Sequence, residues 1–161
     1  MSSAHKNLSK VEGSKIPSGA GIRIGIVVAE WNSAITGALR HGAVKILLEN
    51  GVAENNITIM DVPGSFELTL GAQFLCEDKN IDAVICLGCV IQGETRHFDF
   101  ICNAVANGIT NVSLKYNKPV IFGVLTPDTL QQAQERAGGK HGNKGDEAAV
   151  TVLKMVNLKK M

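Results

Sequence analysis

An α/β fold, with a parallel sheet covered by helices on both faces, is predicted for this chain by three features of its sequence. Short runs rich in β-branched residues recur at 23–29, 57–62, 83–91 and 120–125, and the segments between them space their apolar residues at near-helical intervals. Two of the runs, RIGIVVA and AVICLGCVI, are apolar almost throughout, as in strands buried on both sides. Strand and helix alternate, so consecutive parallel strands must be joined by right-handed crossovers. Four buried strands are expected, with any ligand beyond their carboxyl ends.

Taken in order, residues 1–21 are polar, rich in Ser, Gly and Lys, and read as a partly flexible arm, with the domain occupying 22–161. Arg23–Ala29 is the first strand. Asn32 or Ser33 caps the following helix, Ala34–Glu49, which stops at Asn50-Gly51. Ile57–Val62 is the second strand, closed by Pro63-Gly64, and a helix over Phe66–Glu77 follows. Ala83–Ile91 is the third strand, and its helix runs from Arg96 to about Lys115. After Asn117-Lys118-Pro119 comes the strand Val120–Leu125, then a short helix Thr129–Ala137. Gly138–Gly145 is too glycine-rich to be regular, and the last helix, Asp146 to about Leu158, has an acidic start and a lysine-rich end that suit its dipole.

Composition narrows the function. A chain of 161 residues with 45% hydrophobic and 19% charged residues builds a full core as one domain. A net charge of +1 gives no reason to expect a nucleic acid or an anionic membrane as partner. No apolar run approaches the roughly 20 residues of a membrane span, and the N-terminus lacks the apolar core of a secretion signal. A cytoplasmic protein with reduced thiols is expected. Cys86 and Cys89 form a C-x-x-C, but three residues apart on a strand they point to opposite faces, so core cysteines are expected rather than a redox pair.

The chemistry gathers at Gln92–His97. A strand ending in Gln92-Gly93-Glu94-Thr95, with a helix opening behind it, presents free N–H groups at the positive end of a helix dipole. Gly88 to Thr95 has the G-x4-G-x-T spacing of a nucleotide loop, but Glu94 stands where such a loop needs Lys, so a single phosphate fits better than a triphosphate. His97, two residues on, is suited to proton transfer; a histidine alone would more often be a partly exposed surface residue than a catalyst. Trp31 at the first strand end can stack on a heteroaromatic ligand or merely pack. Glu67 can hydrogen-bond a polyol or face solvent, and Arg136 can hold a phosphate or offset a helix end. The four histidines show no spacing for a metal.

These residues fall in blocks: VVAEWN (27–32), VPGSFEL (62–68), Gly88 to Asp99, FGVLT (122–126) and QAQERAGGKHGNKG (132–145). In this order and spacing the chain resembles the lumazine synthase family. The resemblance implies a flavodoxin-like three-layer sandwich around a four-stranded parallel sheet. It implies condensation of 5-amino-6-(D-ribitylamino)uracil with 3,4-dihydroxy-2-butanone 4-phosphate, through an imine, loss of phosphate and a ring closure with loss of water. This is the penultimate step of riboflavin biosynthesis, with no cofactor and no metal.

Carried across by residue, the resemblance makes His97 the acid–base group and Trp31 the stacking aromatic. Cys89, Val90 and Ile91 read the uracil edge through main-chain groups, and Ser65, Phe66 and Glu67 contact the ring and ribityl chain. Glu94, Thr95 and Arg136 hold the phosphate, Phe122 comes from a neighbouring subunit, and Lys144 reaches the substrate. The resemblance further implies a pentamer or a 60-subunit icosahedral shell with sites at subunit interfaces. The short Gly138–Gly145 turn favours the shell, the N-terminal arm adds a strand to the next subunit's sheet, and riboflavin synthase is a candidate partner. The rival readings are a non-catalytic flavin- or lumazine-binding shell protein and a purely structural shell.

Overall fold

The computed structural model describes residues 16–159. The reading of residues 1–15 as an arm that joins a neighbour's sheet lies outside them. The sheet consists of β1 (Ile24–Ala29), β2 (Ile57–Val62), β3 (Ala83–Cys89) and β4 (Val120–Leu125), all parallel, in the order β2-β1-β3-β4. The connecting helices are α1 (Ser33–Glu49), α2 (Leu68–Glu77) and α3 (His97–Tyr116), followed by the short α4 (Leu130–Glu135) and the final α5 (Lys144–Lys159).

Alternation along the strands builds the three layers. In β1, Ile24, Ile26 and Val28 turn to one face and join Leu39 and Leu47 of α1 and Val152 and Leu153 of α5. Val27 and Ala29 turn to the other and join Leu68, Ala72 and Leu75 of α2 and Val105 and Ile109 of α3. β3 divides in the same way, with Ile85 and Leu87 on the first face and Val84 and Cys86 on the second. Cys86 and Cys89 accordingly lie in different halves of the core, as strand periodicity requires.

Three expectations need correction. β1 and β3 are buried throughout, but only Val62 of β2 is buried, because β2 is an edge strand that the helices hardly cover, whereas β4, the other edge, lies against α3 and α5. β3 stops at Cys89 and α2 starts only at Leu68, since both give up a turn of chain to the site. Gly138–Gly145 is not irregular. Ala137–Gly139 (β5) and Gly142–Asn143 (β6) form an antiparallel hairpin, and the left-handed φ values of Gly138 (115°) and Gly142 (79°) are what a glycine can supply there. Among the described residues no helix is long and apolar enough to cross a membrane.

Candidate active site

The strand order places a topological switch point between β1 and β3. From β1 the chain crosses to β2 on one side, while β3 and β4 continue on the other, and the connections part there to leave a crevice. A cavity of about 580 Å³ occupies the carboxyl ends of these strands, lined by Trp31, Asn32, Gly64–Glu67, Cys89–Ile91, His97 and Ile101. Eight residues read from sequence as site residues therefore share one space: Trp31, Ser65, Phe66, Glu67, Cys89, Val90, Ile91 and His97.

Each wall has a local cause. The β1 end is tied down where the Glu30 N–H donates to Val62 O (2.8 Å) and the Trp31 N–H to Pro63 O (3.2 Å), and Trp31 itself is 73% exposed. An exposed tryptophan at a strand end is not core packing. Ser65 is buried, because it sits against Gly88, where an added Cβ would come within 2.7 Å of Ser65 Oγ. Phe66 and Glu67 are exposed beside it.

The floor is main chain. The Val90 N–H donates to Leu125 O (2.8 Å) and the Gln92 N–H to Pro127 O (2.9 Å), so the chain leaving β3 stays aligned with the end of β4. Burial pushes the Cys89 thiol up to about 11, so it is a neutral thiol near pH 7 and a poor nucleophile.

His97 opens α3 and is exposed, with its N–H donating to Thr95 Oγ at 3.4 Å. Glu94, Thr95 and Arg96 are exposed, and their N–H groups meet no acceptor among the described residues. The loop thus keeps open donors at a helix start, beside an imidazole that faces the cavity.

Phe122 and Arg136 are elsewhere. They line a second cavity of about 690 Å³ at the carboxyl end of β4, with Thr126, Gln132, His141 and Lys144. No residue is common to the two linings, so within one chain His97 and the Arg136 guanidinium line different cavities. Arg136 caps α4, whose start is held by a reciprocal capping box between Thr129 and Gln132. Lys144 Nζ is 3.0 Å from Glu147. Glu135 takes Lys140 at 2.9 Å, and that hydrogen bond, with the charge of Lys140, holds its carboxyl below the ordinary value.

Asn32 was legible only as a helix cap. It does stand at the N-cap of α1 with left-handed φ and ψ (60°, 44°), but its side chain makes no capping bond; its Nδ2 donates to Cys89 O at 2.9 Å and so ties β1 to β3 across the switch point. No local pattern could announce that bond, because its partners are 57 residues apart.

With this geometry in view, comparison with known proteins is specific. A profile of the 6,7-dimethyl-8-ribityllumazine synthase family matches residues 21–160. A 6,7-dimethyl-8-ribityllumazine synthase of Cytophaga hutchinsonii is 66% identical over 97% of this chain and 98% of its own length. Enzymes of the same name from Parabacteroides distasonis and Porphyromonas gingivalis are 55% and 53% identical, covering 98% and 100% of this chain and 99% and 100% of their own.

Proposed function

This chain belongs to the 6,7-dimethyl-8-ribityllumazine synthase family and is a transferase of riboflavin biosynthesis, and we propose that its site is completed by a second subunit. The substrates are 5-amino-6-(D-ribitylamino)uracil and 3,4-dihydroxy-2-butanone 4-phosphate; the products are the lumazine, phosphate and water. The observation that carries the proposal is the division of the machinery between two separate cavities. One chain supplies an aromatic, a polar shelf and an imidazole. A neighbour supplies Phe122, Arg136 and Lys144 from its β4 end.

In that composite site Trp31 stacks on the pyrimidine, and the main chain of Cys89–Ile91 pairs with its edge. Ser65, Phe66 and Glu67 hold the ring and the ribityl hydroxyls. The open N–H groups at Glu94 and Thr95, with the partner's guanidinium, receive the phosphate. Glu94 is exposed, which lets its carboxylate turn away from the anion. His97 then moves protons in three steps. It assists loss of water as the amine forms the imine, takes the proton released as phosphate departs, and assists the second loss of water as the ring closes. Part of the rate comes from holding two reactants together, so loss of the imidazole leaves residual turnover.

The same reading places the enzyme in the cytoplasm as a pentamer or a 60-subunit shell, with the shell favoured by the short hairpin. The exposed edge of β2 suits the added strand of a neighbour's arm. Riboflavin synthase, which consumes lumazine, is a candidate partner. Mixing the purified protein with the two substrates and following lumazine absorbance tests the catalytic reading. Tight lumazine binding without turnover would instead favour the silent carrier.

A further inference from the structure

The hairpin that separates Arg136 from Lys144 is fastened to α1 through the side chain of Asn143. Asn143 stands in β6 opposite Ala137. Its Nδ2 donates to Ala38 O in α1 at 2.9 Å, and its Oδ1 accepts the Gly145 N–H at 2.7 Å. Between these two anchor points, the Lys144 N–H donates to Arg136 O at 2.9 Å, so the backbones of both cationic residues are joined to each other beside the asparagine. Room for the clamp is made by glycine: a Cβ at Gly42 would lie 2.7 Å from Asn143 Nδ2, and one at Gly145 would lie 1.9 Å from Leu39 O.

The carbonyl of Ala38 lies inside a helix, where an N–H four residues on already serves it. The helix does not need the bond from Asn143; the hairpin does. At the start of the same helix Asn32 makes its own bond to Cys89 O in the other cavity. Two asparagine amides therefore reference α1 to both cavities, about 9 Å apart along its axis.

We infer that Asn143 is a positioning residue for the phosphate end of the reaction, setting the placement of Arg136 and Lys144 without touching the substrate. The inference rests on the reading of Arg136 as a phosphate ligand and of Lys144 as a group that reaches the substrate. A guanidinium must meet phosphate oxygens in a fixed fork, so a small displacement of the hairpin weakens phosphate binding and leaves the pyrimidine half as it was.

Asn143→Asp, in the assembled full-length enzyme, keeps the size and the acceptor toward Gly145 but puts an acceptor against Ala38 O. The KM for the butanone phosphate and the inhibition constant of inorganic phosphate should each rise about tenfold, while the KM for ribitylaminouracil stays within about twofold. Asn143→Ser removes the bond to Ala38 without adding charge and should show the same split. Equal changes in both KM values, no change in a folded variant, or failure of both variants to assemble would overturn the inference, since each fits a purely structural asparagine. Arg136→Ala separates the two readings. If it leaves phosphate inhibition unchanged, the phosphate assignment falls; if it weakens inhibition and the Asn143 variants do not, only the positioning role falls.

Discussion

The cavity at the ends of β1 and β3 and the cavity at the end of β4 hold their residues in different ways. In the first, Trp31, Cys89–Ile91 and His97 lie within a few residues of the buried strands that carry them, and the walls follow from where those strands stop. In the second, Arg136 ends α4 and Lys144 opens α5, on either side of a small hairpin that is held by Asn143, by the capping box of α4 and by close glycine contacts with α1. The first region is placed by the buried strands themselves; the second is placed by side-chain and close-packing contacts with α1.

The contrast can be broken most directly at two glycines. Gly145→Ala would drive a methyl into the Leu39 carbonyl and should lower stability by about 3 kcal/mol or more. Gly93→Ala in the anion loop meets nothing within 4 Å and should stay within about 0.5 kcal/mol. Thermal unfolding of the two variants checks both, and equal losses would erase the distinction.

Next in size is catalysis. His97→Ala should lower kcat about a hundredfold, at the low end of acid–base contributions, and Arg136→Ala should chiefly raise the KM for the phosphorylated substrate. Coexpressed in equal amounts, the two impaired variants should recover about a quarter of the wild-type sites if each site draws on two subunits of a closed ring. No recovery would return both groups to one chain.

Trp31→Leu should raise the KM for the pyrimidine about tenfold, the scale of one lost stacking contact, with phosphate inhibition unaltered. A matching loss of phosphate affinity would mean that the cavities are not separable.

The smallest effect is a pH dependence inside the first region. Burial raises the Cys89 thiol from 9.0 to about 11, so the folded state favours the protonated form. That stabilisation is complete below pH 9 and is lost as pH rises through 11. Comparison of the wild-type protein with Cys89→Ala, by unfolding at pH 8 and pH 11, should show the difference narrowing at the higher pH.

Most of the first cavity was legible because its residues sit at strand ends, and hydrophobic runs reveal where strands end. The Gln92–His97 loop could be read the same way, as a strand stop followed by a helix start. The second region resisted. Glycine spacing in 138–145 looked like disorder of pattern, whereas two of those glycines adopt the positive φ values of a hairpin. The exposure of β2 was equally hidden, since similar runs can form covered and uncovered strands and only the helices packed against them separate β2 from β4.

The sequence by itself determined the α/β alternation, the two fully buried strands and the polar residues that end them, because local periodicity and turn chemistry act over a few residues. Tertiary structure alone decided that Trp31 and His97 share a space, that Arg136 does not join them in the same chain, and that an amide at Asn143 reaches a helix 105 residues away. Contacts across such separations depend on how the layers stack, and no window of sequence records that.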